Sequence, residues 1–198
     1  MPTRSITING LQARPGDHIC AFYRGREERD RLLVPYVQEG LRDGDVCICI
    51  TGRADHRRLE RSLRRGCEEA EPDLLRMPDA EDTYLAGGSF SAQRMLTFWG
   101  ELGRETFEEQ GRTFARAASD MSWAENVITG PRIDDFMGYE AQATRYARAY
   151  PQVALCLYDL DKFRGDVIIP VLKVHPKVFF GGMLLDNPYY VAPDELEG

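Results

Sequence analysis

A chain of 198 residues, 43% hydrophobic and 29% charged, matches an ordinary soluble globular protein and is long enough for one domain with a sizeable core. Its net charge of −7 argues against general nucleic-acid binding, which needs concentrated Lys and Arg. The apolar runs "VCICI" and "VIIPVL" are far too short to cross a bilayer.

Residues 1–15 read as an irregular lead-in closed by Pro15-Gly16, with no apolar core of a signal peptide. His18–Tyr23 is a short apolar strand. From Glu27 to about Arg42 the residues Leu32, Leu33, Tyr36, Val37 and Leu41 form a helical stripe, with Pro35 predicting a kink or a later start. "RDGD" makes a turn into the strand 46–51, apolar on both faces. Ala54–Glu69 is a charged helix and Leu74–Met77 a short strand. A polar connection over 78–91 ends at Ser91, which caps a helix to about Glu109. Thr113–Met121 is a strand and Asp134–Tyr150 a helix, joined by "SWAENVITGPR". The strand 153–159 ("VALCLYD") leads to a helix ending before His175-Pro176, and a hairpin turning at Gly181-Gly182 closes the chain. Continuous apolar strands alternating with helices predict a single three-layer αβα domain over 16–198, with a mostly parallel sheet.

The arginines alternate with acids in "RGREERDR" and "RRLERSLRRGCEEAE", the pattern of a solvated, ion-paired face. Five cysteines at irregular spacing predict a reduced, cytoplasmic protein. A nucleotide triphosphatase needs a Gly-rich loop with Lys and Ser or Thr after its first strand. Here that position reads "YRGREE", and its glutamates would repel phosphate. Phosphate-loop hydrolysis is therefore excluded. "VALCLYD" ends in an acid, as magnesium-binding strands do, but a strand ending in Asp is common.

His18 and Cys20 share one strand face, as do Cys47 and Cys49, and Cys156 lies on another core strand. Zinc ligands usually come in short Cys-x-x-Cys pairs from turns. That spacing is missing, so no metal is expected. The cysteines read as small hydrophobes in a sheet core, the alternative being a buried thiol–imidazole cluster that lines a cavity. There is no Gly-x-Ser-x-Gly elbow, and none of His18, His56 and His175 shows a readable partner. His56 is expected to be exposed, and His175 to be a cationic ring at a helix end. Aromatic residues gather at strand ends and loops, among them Tyr23, Tyr84, Trp123, Tyr139, Tyr158 and Phe163. Open α/β sheets bind ligands at the carboxyl ends of their strands, so their convergence favours a small-molecule pocket there.

The ordered pieces "GDHICAFY", "LLVPYVQEGLRDGD", "DTYLAGGSFSAQRMLTFW", "ASDMSWA", "YEAQATRYA", "LCLYDLDKF" and "VLKVHPKVFFGGMLLDNPYY" resemble the MEDS domain. This sensory domain is named for methanogens, methylotrophs and a dichloromethane-responsive repressor. The resemblance runs from about Gly16 to Tyr190. It implies a RecA-like or clock-ATPase-like fold that has lost its phosphate loop. It also implies sensing of small organic molecules, hydrocarbon derivatives among them, without catalysis or cofactor. Such domains commonly sit beside DNA-binding or kinase modules. No such module is readable here, so a kinase, a transcription regulator or a second copy of the chain is the expected partner. The positions assigned to the ligand are His18, Cys20, Tyr23, Met121, Trp123, Tyr139, Glu140, Cys156, Tyr158 and Asp161. A degenerate nucleotide binder and a ligand-free interaction module remain the alternatives, with an enzyme acting through Cys20 last.

Overall fold

The structure, a computed structural model, describes residues 6–8, 10–128, 130 and 132–196. The N-terminal segment corrects the expectation of an irregular lead-in. Strands β1 (Ile6–Ile8) and β2 (Leu11–Ala13) pair antiparallel, with Gly10 at φ 81° in their connection. The alternation of β1 turns Ile6 and Ile8 inward. Thr7, pointing outward, donates to Glu39 Oε1 at 2.6 Å.

Strand β3 (His18–Tyr23) is buried at every position. Helix α1 (Gly25–Asp43) begins earlier than the stripe predicts and runs on through Pro35. Pro35 lies on the exposed side, where water can satisfy the carbonyl that loses its intrahelical partner. There follow β4 (Val46–Ile50), α2 (Arg53–Arg64), β5 (Leu75–Arg76), α3 (Ala92–Gly103), β6 (Ala115–Asp120), α4 (Arg132–Ala149), β7 (Gln152–Asp159), α5 (Gly165–Val174), β8 (Lys177–Phe180), β9 (Met183–Asp186) and α6 (Pro193–Leu196). Ser91 caps α3 by accepting the Arg94 N–H, as expected, and a π-helical turn over 104–109 completes that helix.

The seven strands stand in the order β5-β4-β6-β7-β3-β8-β9, parallel except for the final β8–β9 hairpin. Gly181 and Gly182, both at positive φ, make its two-residue turn. Helices α1 and α2 pack together on one face, and α3, α4 and α5 on the other, giving the αβα sandwich with a mostly parallel sheet. Among the described residues, no helix is long and apolar enough to cross a membrane. All five cysteines are buried free thiols.

The α1 face of the sheet is locked by a charge. Arg116 on β6 has no exposed surface. Its guanidinium donates to Asp45 at 2.9 Å, Glu39 at 2.7 Å, Asp43 at 3.1 Å and the Tyr36 carbonyl at 3.1 Å. Gly40 makes room for it, since a Cβ there would lie 2.6 Å from Cys47 Sγ and 2.8 Å from Arg116 Cδ. Cutting one side of such a pair strands a buried charge on the other. Arg116→Ala should therefore cost about 3–5 kcal/mol, read as a lower midpoint in urea unfolding.

Candidate functional site

Strands β3, β4, β6 and β7 run parallel and present their carboxyl ends at one edge. At the position of a phosphate loop, backbone donors are already taken by carboxylates. The Arg24 N–H donates to Glu28 Oε2 at 2.7 Å, and the Gly25 N–H to Asp159 Oδ1 at 3.3 Å. Beside them a cleft of about 340 Å³ is lined by Tyr23, Arg29, Asp55, Asp120, Trp123 and Lys162, among others. Its buried cation is committed, while Arg26 and Lys162 at the rim are more exposed. Arg29 is 5% exposed and binds Asp120 at 2.6 Å, Asp30 at 2.8 Å and Asp55. Arg58 closes the network onto Asp55 and Asp30, each at 2.7 Å. The ion pairing expected of "RGREERDR" is present, but Arg29 is buried within it rather than on a solvated face. The hydrogen bonds from Arg58, and then from Arg29, hold the Asp55 carboxyl well below the usual carboxylate range.

A second site lies inside the molecule, between the sheet and α4. Helix α4 packs on β3 and β7 because Phe136, Tyr139, Glu140, Thr144 and Ala147 fall on one buried face. A cavity of about 30 Å³ lies there. Its walls come from β3 (His18), β6 (Ala117, Ser119), β7 (Ala154, Leu155, Cys156), α4 (Tyr139, Glu140, Ala143, Tyr146), α3 (Trp99) and the 78–91 connection (Tyr84). The Tyr84 hydroxyl donates to Ser119 Oγ at 3.2 Å and lies 3.3 Å from the Tyr139 hydroxyl, which accepts from Trp99 Nε1 at 2.9 Å. Tyr158 donates to Glu140 Oε1 at 3.1 Å.

The other Glu140 oxygen faces three groups. Oε2 is 3.4 Å from His18 Nε2, 3.5 Å from His175 Nε2 and 3.9 Å from Cys156 Sγ. His18 Nε2 is itself 3.3 Å from Cys156 Sγ, and the two imidazoles are 4.2 Å apart between centroids. Burial keeps the set neutral. It pushes the Glu140 carboxyl up to about 8, the His175 imidazole down to about 4, His18 well below its ordinary value and the Cys156 thiol well above its own. His175 is thus no cationic cap on a helix end: it has no exposed surface.

Of the residues read from the sequence, His18, Tyr139, Glu140, Cys156 and Tyr158 are brought together here. Cys20 pairs in register with Cys156 but donates to the Lys177 carbonyl, and burial raises its thiol far out of the nucleophilic range. Tyr23 stays at the strand edge, bonded to Asp120 at 3.1 Å and Ser122 at 3.2 Å. Trp123 stands between the two sites, lining the edge cleft and stacking on Tyr84 at 4.4 Å. Met121 is fully buried and lines neither site. Asp161 is an exposed partner of Arg24 at 2.7 Å. His56, expected to be exposed, is mostly covered and bonds Asp79 at 2.5 Å. The buried thiol–imidazole cluster kept as an alternative for the cysteines has a counterpart here. His18, Glu140, Cys156 and His175 each place a ligand atom within 4.8 Å of all the others. Sequence reasoning looked for paired cysteines in turns, and these four come from β3, α4, β7 and the end of α5.

Comparison with known proteins fits this architecture. The sequence profile described as "MEDS: MEthanogen/methylotroph, DcmR Sensory domain" matches residues 17–176. The chain belongs to the MEDS family. The transcriptional repressor DcmR of Methylorubrum extorquens is 26% identical over 174 residues, covering 87% of this chain and 63% of the repressor. This MEDS chain therefore spans less than two thirds of that relative's length. Among solved structures, the flagellar accessory protein FlaH from Methanocaldococcus jannaschii superposes with a TM-score of 0.50 at 11% identity, over 85% of this chain and 75% of FlaH. That likeness concerns the fold alone, which is RecA-like, as the resemblance implies.

The edge network of the MEDS chain generates a pH test. A carboxyl depressed by folding stabilises the protein above its unfolded pKa of about 3.9 and loses that contribution as pH falls toward the folded value. Asp55→Asn should be less stable than wild type at neutral pH, and the gap should narrow below about pH 4. Thermal melts of both proteins across this range check it.

Proposed function

We propose that this MEDS protein is a non-enzymatic sensory domain that takes a small organic molecule of a few heavy atoms into the cavity beneath α4. The observation that carries this reading is the cavity itself. It lies between the sheet and α4, is mostly apolar, and has Ser119, Tyr84, Tyr139, Glu140 and His18 at its wall. An apolar space with a few convergent polar groups is the usual form of a ligand site. Its size sets the substrate class. About 30 Å³ is two to three times the roughly 10–15 Å³ that a cavity needs to admit one water, so a molecule of two or three heavy atoms, such as a short alcohol or a small halomethane, is the right scale and a nucleotide is not. Neutral walls suit a neutral guest.

The nucleotide alternative would have to use the edge cleft, where Glu28 and Asp159 already hold the backbone donors. Arg29 there is shared among three carboxylates, and the other two cations of the cleft, Arg26 and Lys162, each lie beside an acid, Asp55 and Glu125, which disfavours phosphate. Catalysis through Cys20 is disfavoured by its protonated, buried thiol.

Signal output follows from the stack of Tyr84 on Trp123. Tyr84 belongs to the 78–91 connection and Trp123 to the 122–133 connection, of which residues 129 and 131 lie outside the described residues. A guest that moves Tyr84 biases both connections at once, which is the differential contact that a population shift requires. The relationship to a transcriptional repressor supports a regulatory output, passed to a protein partner.

Thermal unfolding with methanol, ethanol, dichloromethane or chloroform, against MgATP, tests the reading. At least one small compound should stabilise the wild type, by about 2.7 kcal/mol at a hundred times its dissociation constant. Ala143→Leu, which fills the cavity, should abolish the response. Stabilisation by MgATP, or equal stabilisation of both proteins by the small compounds, would overturn the proposal.

A further inference from the structure

We infer that His18, Glu140, Cys156 and His175 form a binding site for a divalent transition ion of the zinc class. The inference does not rest on the small-molecule reading, because the same four residues would hold the ion whether or not the cavity takes a guest.

The first argument is tautomeric. His175 Nδ1 lies 2.8 Å from the Val171 carbonyl, which can only accept, so Nδ1 carries the proton and Nε2 a lone pair. His18 Nδ1 lies 2.8 Å from Thr144 Oγ1. That hydroxyl spends its own proton on a carbonyl, Val174 at 3.1 Å or Glu140 at 3.4 Å, so it accepts from His18. Both imidazoles are thus fixed with their Nε2 lone pairs turned to the same point. Outer partners of this kind orient metal-binding histidines. Tyr158 does the same for Glu140, holding Oε1 and leaving Oε2 directed inward.

The second argument is metric. A tetrahedral ion with nitrogen and oxygen ligands at about 2.0–2.1 Å and sulfur at about 2.3 Å sets its ligand atoms roughly 3.3–3.6 Å apart. Four of the six separations here are 3.3, 3.4, 3.5 and 3.9 Å, and all six are within 4.8 Å. The two N···O distances, 3.4 and 3.5 Å, exceed the 2.7–3.2 Å of ordinary N–H···O hydrogen bonds, and three of the four fall within the range of tetrahedral edges. In agreement, His175 Nε2 is a buried polar atom with no hydrogen-bond partner, in a side chain with no exposed surface. Such an atom is costly unless something answers its lone pair.

The donor set is chemically consistent. One thiolate and one carboxylate balance a divalent charge, so the loaded cluster would be neutral in a dry interior. Two imidazoles, one sulfur and one oxygen in tetrahedral array favour zinc over the hard, oxygen-seeking cations. His18, Glu140 and Cys156 also line the cavity, so a molecule in that space would touch the ion's ligand shell.

The test is growth of the expressing culture in medium supplemented with cobalt(II), followed by metal analysis and absorption spectroscopy of the purified chain. Expected are stoichiometric metal, visible bands of tetrahedral cobalt and a sulfur-to-cobalt charge-transfer band. Cys156→Ser should lose the charge-transfer band and His175→Gln the metal, while Cys20→Ser keeps both. Thr144→Val, which removes the His18 partner and the hydroxyl's bond to a carbonyl but no ligand atom, should weaken metal affinity about 10–100-fold. A folded wild type without stoichiometric metal, or a charge-transfer band that survives Cys156→Ser, would overturn the site. Should the ligand variants fail to fold, X-ray absorption of the wild type decides: a sulfur scatterer near 2.3 Å supports the assignment, and a shell without sulfur sinks it. A metal-free chain still stabilised by a short alcohol or halomethane would remove this site and leave the sensing proposal standing.

Discussion

The sheet is covered by helices on both faces, so every polar side chain that a strand turns inward must be answered from a helix or a loop. A buried group without an answer costs several times what a formed hydrogen bond returns. On one face the answer is electrostatic: Arg116 of β6 meets Glu39 and Asp43 of α1 together with Asp45. On the other it is a meeting of neutral groups. His18, Cys156 and Tyr158 of the strands face Glu140 and Thr144 of α4. The same constraint thus makes a lock on one side and a chemically able cluster on the other.

The strand edge shows why an α/β protein of RecA-like form need not act on nucleotides. The backbone donors at the start of α1 are satisfied by Glu28 and Asp159, and Arg29 is drawn into a carboxylate network. Charges that are already paired cannot be offered to phosphate without first being separated. The polar chemistry left over is buried, in the middle of the sheet, between β3, β7 and α4. The stacked rings of Tyr84 and Trp123 join this interior to the edge.

Much of the fold was legible in the sequence. The strands His18–Tyr23 and 46–51, the Ser91 cap and the Gly181-Gly182 turn are local features, written in apolar runs and in glycine conformational freedom, and the structure has them at those positions or within a residue. What escaped was tertiary. Arg116 sits in an Ala-rich strand and Arg29 in a charged helix, and neither pattern shows that the side chain ends in the core. The β1–β2 hairpin is too short for periodicity to reveal.

The candidate site divides in the same way. The resemblance to the MEDS domain put His18, Glu140, Cys156 and Tyr158 among the ligand positions, while residue type alone read the cysteines as core hydrophobes and Tyr158 as one of the rings at the strand ends. The sequence by itself also determined the missing phosphate loop and the alternation of strand and helix that builds a parallel sheet. Only the tertiary structure decided that His175, 157 positions from His18, stands 4.2 Å from it between ring centroids, and that Tyr23 and Asp161 stand apart. The physical reason is that spacing along the chain governs which residues share a face, whereas strand order and helix packing govern which faces meet.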